Sequence, residues 1–209
     1  MHKLIFILAL FSFGYSSAQH KPLDAVTIQR IKEGVSQVSK KTSTISSDFT
    51  QEKEMSILND KIITTGKFYF KKDQLLRWEY IHPFAYIITI RGDVITILDE
   101  GTIKSFNTKS NKVFSEVNRI IIGSVNGTLL DDASFTADFN KNNSHFIVSL
   151  TPVSAVVKES LDRIAIYFNK TDYTVDKLEM YESAGDFTRI TFTNKQINQP
   201  ISDEIFILH

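Results

Sequence analysis

From residue 43 onward, apolar side chains recur at every second position in short runs, and the connections between many of those runs are too short to hold a helix. Runs at 44–55, 62–71, 75–80, 85–90, 94–98 and 102–106 are rich in β-branched and aromatic residues. Stretches such as Lys72-Asp73-Gln74, Arg91-Gly92-Asp93 and Asp99-Glu100-Gly101 separate them. A parallel crossover needs about a dozen residues, so these runs are expected to be antiparallel neighbours in a meander. The pattern resumes at 134–140, 145–150, 163–168, 177–182, 187–193 and a short 205–208. Sequential antiparallel strands in that number must curl or split into two sheets.

Two segments precede the strands. Met1-His2-Lys3 is basic, residues 4–13 are almost unbroken apolar, and Ser16-Ser17-Ala18 offers small residues for cleavage. Residues 1–18 therefore read as a secretory signal peptide cut after Ala18, because an apolar run of about ten is half of what a membrane-spanning helix needs. Residues 23–38 then place Leu23, Val26, Ile28, Ile31, Val35 and Val38 at mostly three- and four-residue steps, which predicts an amphipathic helix. No repeat of 20–50 residues and no Pro/Ser-rich linker divides the rest, so residues 19–209 form one expected domain, mainly β with a few helices.

Alternation assigns side chains to faces. In Leu76-Arg77-Trp78-Glu79-Tyr80, Leu76, Trp78 and Tyr80 share one face while Arg77 and Glu79 take the other. The same parity selects Phe68 and Phe70, Ile88 and Ile90, Ile95 and Ile97, Phe146 and Val148, and Ile164 and Ile166. Such a face either fills a barrel with the protein's own side chains or lines a hollow that takes foreign hydrocarbon, and periodicity does not choose between the two. Between residues 114 and 130, Ile121, Val125 and Leu129 fall on one helical stripe that Gly123 and Gly127 interrupt, each costing about 1 kcal/mol against Ala. That stripe is either a movable cover or a stationary plug.

Composition excludes several classes of chemistry. Twenty-four basic residues balance twenty-four acidic ones, which removes the electrostatic case for nucleic acid. With no Cys, no HExxH, no G-x-S-x-G elbow and no Gly-rich phosphate loop, the sequence offers no catalytic residues, no metal site and no cofactor. His82 and His145 are isolated in sequence, and Asp131-Asp132, at a helix end, is expected to start a turn or be solvated rather than form a carboxylate pair.

The order and spacing of Phe49-Thr50-Gln51-Glu52-Lys53, Gly66-Lys67-Phe68-Tyr69-Phe70-Lys71-Lys72, Leu76-Arg77-Trp78-Glu79-Tyr80, Pro83, Gly92-Asp93, Phe146-Ile147-Val148-Ser149-Leu150-Thr151-Pro152 and Asp186-Phe187-Thr188-Arg189-Ile190-Thr191-Phe192 resemble the LolA family of periplasmic lipoprotein carriers. The resemblance runs from about residue 23 to 207. It implies an unclosed, strongly curved antiparallel β-barrel covered by helices, with an apolar cavity for the acyl chains of lipoproteins in transit from inner to outer membrane. The shared face then becomes the cavity lining and the Gly-broken stripe a lid. The implied partners are acylated lipoproteins or other lipids, an inner-membrane transporter that releases them and an outer-membrane acceptor. A carrier that encloses its cargo needs no partner subunit, so a monomer is expected. Where founding members of the family carry an Arg thought to bind the lid, this chain has Lys72, a flexible point charge and the candidate latch. Two other readings stay open: a LolA-like protein for another lipid, such as a glycolipid or pigment ester, or a lipoprotein sensor; and a structural or interaction domain with a filled barrel.

Overall fold

A computed structural model of the chain describes residues 23–57, 61–107, 119–120, 122–123 and 127–208. The signal segment and the stripe residues Ile121 and Val125 lie outside the described residues.

Helix α1 spans Ala25–Lys41. Asp24 starts it, its carboxylate accepting from the Thr27 amide at 2.8 Å and the Thr27 hydroxyl at 2.8 Å, and Lys40 and Lys41 close it against the negative end of the helix dipole. Ile31 and Val35 are fully buried, with Leu23 and Ile28 packed beside them. Val26, assigned to the same stripe, is instead 70% exposed: its neighbours on that side are solvent, not the sheet.

Eleven strands follow among the described residues: β1 Thr44–Glu54, β2 Lys61–Lys71, β3 Leu75–His82, β4 Tyr86–Arg91, β5 Val94–Asp99, β6 Thr102–Asn107, β7 Phe135–Lys141, β8 His145–Pro152, β9 Arg163–Asn169, β10 Val175–Tyr181 and β11 Phe187–Ile197. They form one antiparallel sheet in the order β6-β5-β4-β3-β2-β1-β11-β10-β9-β8-β7. Two meanders are joined where β1 pairs with β11, Phe49 standing opposite Phe192. The sheet curls without closing, so β6 and β7 remain as edges. Register carries the shared face across it: Ser47 meets Phe68, Phe68 meets Trp78 and Trp78 meets Ile88 on one side, while Leu178, Ile166 and Val148 align on the other. Helix α1 packs against this concave face, Ile31 and Val35 joining one core cluster with the strand residues.

The run at 205–208 is not a strand. Residues Asp203–Phe206 form a 3-10 turn capped by Ser202, whose hydroxyl accepts from the Glu204 amide at 3.3 Å. Asp203 pairs with Lys71 at 2.5 Å, Arg77 donates to the Ile205 carbonyl at 2.8 Å, and Phe206 is fully buried beside β3 and β4. The short apolar run therefore serves as a strap across the outer side of the sheet, the side to which alternation sends Arg77.

The outer side also buries a charge. Glu179 is 3% exposed, and its carboxylate accepts from Tyr167 at 2.8 Å, Lys177 at 3.0 Å, Arg189 at 3.0 Å and Tyr181 at 3.2 Å. Burial pushes its pKa up, but the hydrogen bonds from Lys177, Tyr167 and Arg189 outweigh that and hold it down at about 2. A carboxylate held below its unfolded value stabilises the fold above that value, near 4.5, and the contribution fades as pH falls through about 2. Between pH 5 and 2 the melting temperature of Glu179→Gln should therefore fall less steeply than that of the unsubstituted protein. Parallel slopes in thermal scans would show that the network does not contribute.

Candidate functional site

Between α1 and the concave face lies an apolar cavity of about 40 Å³. Val35 and Val38 of α1 form one wall; Phe68, Trp78, Leu178 and Phe192 form the other. One water-sized group needs about 10–15 Å³ by this measure, so the space holds about three such groups, far fewer than the roughly fourteen methylenes of a common acyl chain. Among the described residues, α1 and the sheet leave this space too small for such a chain.

An aromatic ladder leads away from the cavity. Phe192 lies 5.5 Å from Phe68, Phe68 5.0 Å from Trp78, Trp78 5.0 Å from Phe49, Phe49 5.1 Å from Tyr80, and Tyr80 stacks on Tyr86 at 4.2 Å. At the far end the Tyr80 hydroxyl donates to the Gln51 side-chain oxygen at 3.1 Å, and burial raises the Tyr80 pKa, keeping the phenol neutral. Gly66 makes the middle of the ladder possible, because the Phe49 ring lies where its side chain would be.

Among the described residues, the cavity's one charged wall residue is occupied. Lys195 gives its protons to the Asp176 carboxylate, the Thr174 hydroxyl and the Val175 carbonyl. Asp176 accepts further from Asn169 and His145, each at 2.9 Å. Burial pushes the Asp176 pKa up, but hydrogen bonds from Lys195 and Asn169 hold it below the usual carboxylate range. His145, isolated in sequence, is thus a hydrogen-bond partner of Asp176, half-buried at the start of β8. The cluster ties β8, β10 and β11 together and uses its charge internally.

Residues 40–209 match the family described as outer membrane lipoprotein carrier protein LolA. The chain belongs to the LolA family. No curated protein matches it. Among solved structures, an uncharacterized conserved protein from Thermus thermophilus superposes with a TM-score of 0.54 at 7% identity, covering 86% of this chain and 92% of that one. MucB superposes with 0.53 at 9% identity, over 88% of this chain and 64% of that one. The Mycobacterium tuberculosis lipoprotein LppX superposes with 0.51 at 10% identity, over 86% and 99%. At these identities the likeness is one of fold.

Within this LolA-family chain the thirteen residues assigned to the lining belong to or pack against one core cluster, in different settings. Phe68 and Trp78 border the cavity. Phe70, Leu76, Tyr80, Ile90, Ile95, Val148, Ile164 and Ile166 are buried in the packed core, and Ile88, Ile97 and Phe146 are partly buried against it. Of the stripe assigned to a lid, Leu129 is buried, in the 3-10 turn Thr128–Asp131, with Leu130 and Ile120 in the same core cluster. Gly123 and Gly127 have a tighter role than weakening a helix. Gly127 holds φ +67° and packs on Val35, and Gly123 packs on Leu129; a side chain at either would collide. Asp131 and Asp132 separate, Asp131 pairing with Lys32 of α1 at 2.6 Å and Asp132 with Arg119.

Lys72 reaches a different cover from the one expected. Its ammonium donates to the Lys40 carbonyl at 3.1 Å, at the end of α1. Asn198 binds the neighbouring Lys41 carbonyl at 3.1 Å, and its side-chain oxygen accepts from the Ser43 amide at 2.7 Å. Helix α1 is thus held at its C-terminal end by Lys72 and Asn198 and along its length by Lys32. Sequence reasoning missed α1 as a cavity wall, since an amphipathic stripe shows that a helix buries one face without showing what it buries it against.

Proposed function

We propose that this protein carries the acyl chains of lipoproteins through the periplasm, from the inner to the outer membrane, and that the closed state is its unloaded form. The observation that supports this reading is the cavity, which sits between helix α1 and a continuous aromatic wall. Moving α1 off that wall opens a path along the ladder. Exposing fourteen methylenes to water costs on the order of 11 kcal/mol, whereas the side chains α1 buries most deeply, Ile31 and Val35, are worth about 1.5–3 kcal/mol each. Cargo binding can therefore outweigh opening, and because the cover folds back onto the chain, little of its apolar surface reaches water. Release follows the same route in reverse, since α1 competes with the cargo for one surface.

In this account residues 1–18 direct export and are removed, so the mature protein begins at Gln19, which intact mass measurement checks. Lys72 steadies the closed cover through α1. The protein works as a monomer between a releasing transporter and an outer-membrane acceptor. The test is transfer between vesicles. A fluorescent diacylated lipopeptide placed in donor vesicles should move into the aqueous fraction with the protein in a one-to-one complex, and then into acceptor vesicles. A lipopeptide that stays with the donor vesicles at all protein concentrations rules the carrier reading out.

A further inference from the structure

Two polar groups in the cavity wall have no partner. Trp78 is 4% exposed and Ser47 6% exposed; both border the cavity, and among the described residues neither the indole N–H nor the hydroxyl makes a hydrogen bond. Interiors pair more than nine-tenths of their buried polar groups, and each orphan lowers stability. Three other polar groups at this wall are satisfied: the Thr42 hydroxyl donates to the Val38 carbonyl at 2.8 Å, the Thr174 hydroxyl to Asp172 at 2.7 Å, and Lys195 is saturated as described. A Phe at position 78 and an Ala at position 47 would give a drier wall with nothing left unpaired. The polar atoms stand instead on adjoining rows, Ser47 opposite Phe68 on β1 and β2, and Phe68 opposite Trp78 on β2 and β3.

An indole N–H can only donate, so what completes it is an acceptor, and a serine hydroxyl can join the same acceptor. The cavity's cation is already neutralised by Asp176, which leaves no charge to attract an ionised headgroup. We infer that the cavity reads the acyl carbonyl: it takes a hydrocarbon chain bearing an ester or amide oxygen, held by Trp78 Nε1 with Ser47 Oγ, in preference to the same chain without one. This rests on the lipid-carrying reading of the site and adds chemical selectivity to it. The N-terminus of a lipoprotein and a membrane glycerolipid both supply such a carbonyl.

The experiment is calorimetric titration of the full mature chain with 1-monomyristoylglycerol and with 1-O-tetradecylglycerol, which share head and chain length and differ in the carbonyl. The ester should bind at least tenfold more tightly. In the double variant Ser47→Ala/Trp78→Phe the ratio of ester to ether affinity should collapse to about one. Ser47→Ala alone deletes a hydroxyl that bonds to nothing, so it should fold at least as well as the parent and still lose part of the preference. Equal binding of ester and ether by the parent, or a preference that survives the double variant, overturns the inference while leaving lipid carriage standing. Binding of neither probe overturns both. Displacement of the bound ester by a diacylated lipopeptide assigns the carbonyl to a lipoprotein, and displacement by phosphatidylglycerol assigns it to a membrane lipid; either upholds carbonyl recognition.

Discussion

Val38→Glu should abolish acyl-chain binding while the protein stays folded. Val38 lies on the inner side of α1 at the cavity wall and is only partly buried, so in the unloaded protein a glutamate there can turn its carboxylate to water. A bound chain removes that escape. The carboxylate would then face hydrocarbon without a partner, because the nearby Lys195 already gives its protons to Thr174, Val175 and Asp176. Stranding one charge in an apolar site costs several kcal/mol, which at about 1.4 kcal/mol per decade is a loss of a hundredfold or more. The measurement is equilibrium binding of a diacylated lipopeptide, with a thermal scan beside it. Undiminished binding would mean that cargo does not pass between α1 and the sheet.

Gly66→Ala should be the most damaging small substitution in the sheet. A methyl group at position 66 would overlap the Glu79 carbonyl oxygen on β3 and lie 2.8 Å from the Phe49 ring. Neither can retreat cheaply, since the carbonyl belongs to the β2–β3 ladder and Phe49 is packed between Trp78 and Tyr80. A clash with backbone belongs at the severe end of overpacking, about 4 kcal/mol, and in a domain of this size that lowers the melting temperature by roughly 8–16 °C. Gly92→Ala provides the contrast. That residue, unlike Gly66, holds a positive φ, +57°, but a methyl there meets nothing within 4 Å, so the cost is limited to backbone strain of about 1–2 kcal/mol. Calorimetry that ranks the two equally would mean that the Phe49 ring does not rest on Gly66.

Much of the fold can be read from alternation alone. Trp78, Leu76 and Phe68 were assignable to one face because a pleated strand leaves no other choice, and most strand boundaries lie within two residues of the periodic runs. The joining of the two meanders through β1 and β11 is different in kind, since it depends on where a curled sheet brings its distant members and no local pattern encodes that. Gly123 and Gly127 mislead for a related reason. In sequence they look like helix weakeners, and only the proximity of Leu129 and Val35 reveals that each marks a close approach. Glu179 reads as an ordinary outward charge on an alternating strand. It is buried because Lys177, Tyr167, Tyr181 and Arg189 are long enough to fold over it. Residues 205–208 show the ambiguity of a short apolar run, where the preceding Ser202-Asp203-Glu204 supplies a cap that favours a turn.

The size of the site was the least legible feature. Shared parity says that a face is greasy; it does not say who covers it. Among the described residues, α1 and the turn around Leu129 pack on it, and a cavity of about 40 Å³ lies between α1 and the sheet. Ser47 was overlooked for the same reason: a lone hydroxyl on an apolar strand carries no signal until its neighbours are known and its bonding can be counted.

Trp78 is the only tryptophan and borders the cavity, so its emission reports on that wall alone. Titrating the mature protein with a diacylated lipopeptide while following that emission, with native mass spectrometry of the same samples, tests whether the closed interior opens to a chain. A saturable change that ends at one lipopeptide per protein is expected, with a matching complex in the mass spectrum. Unchanged emission together with an uncomplexed mass at saturating lipopeptide would contradict it.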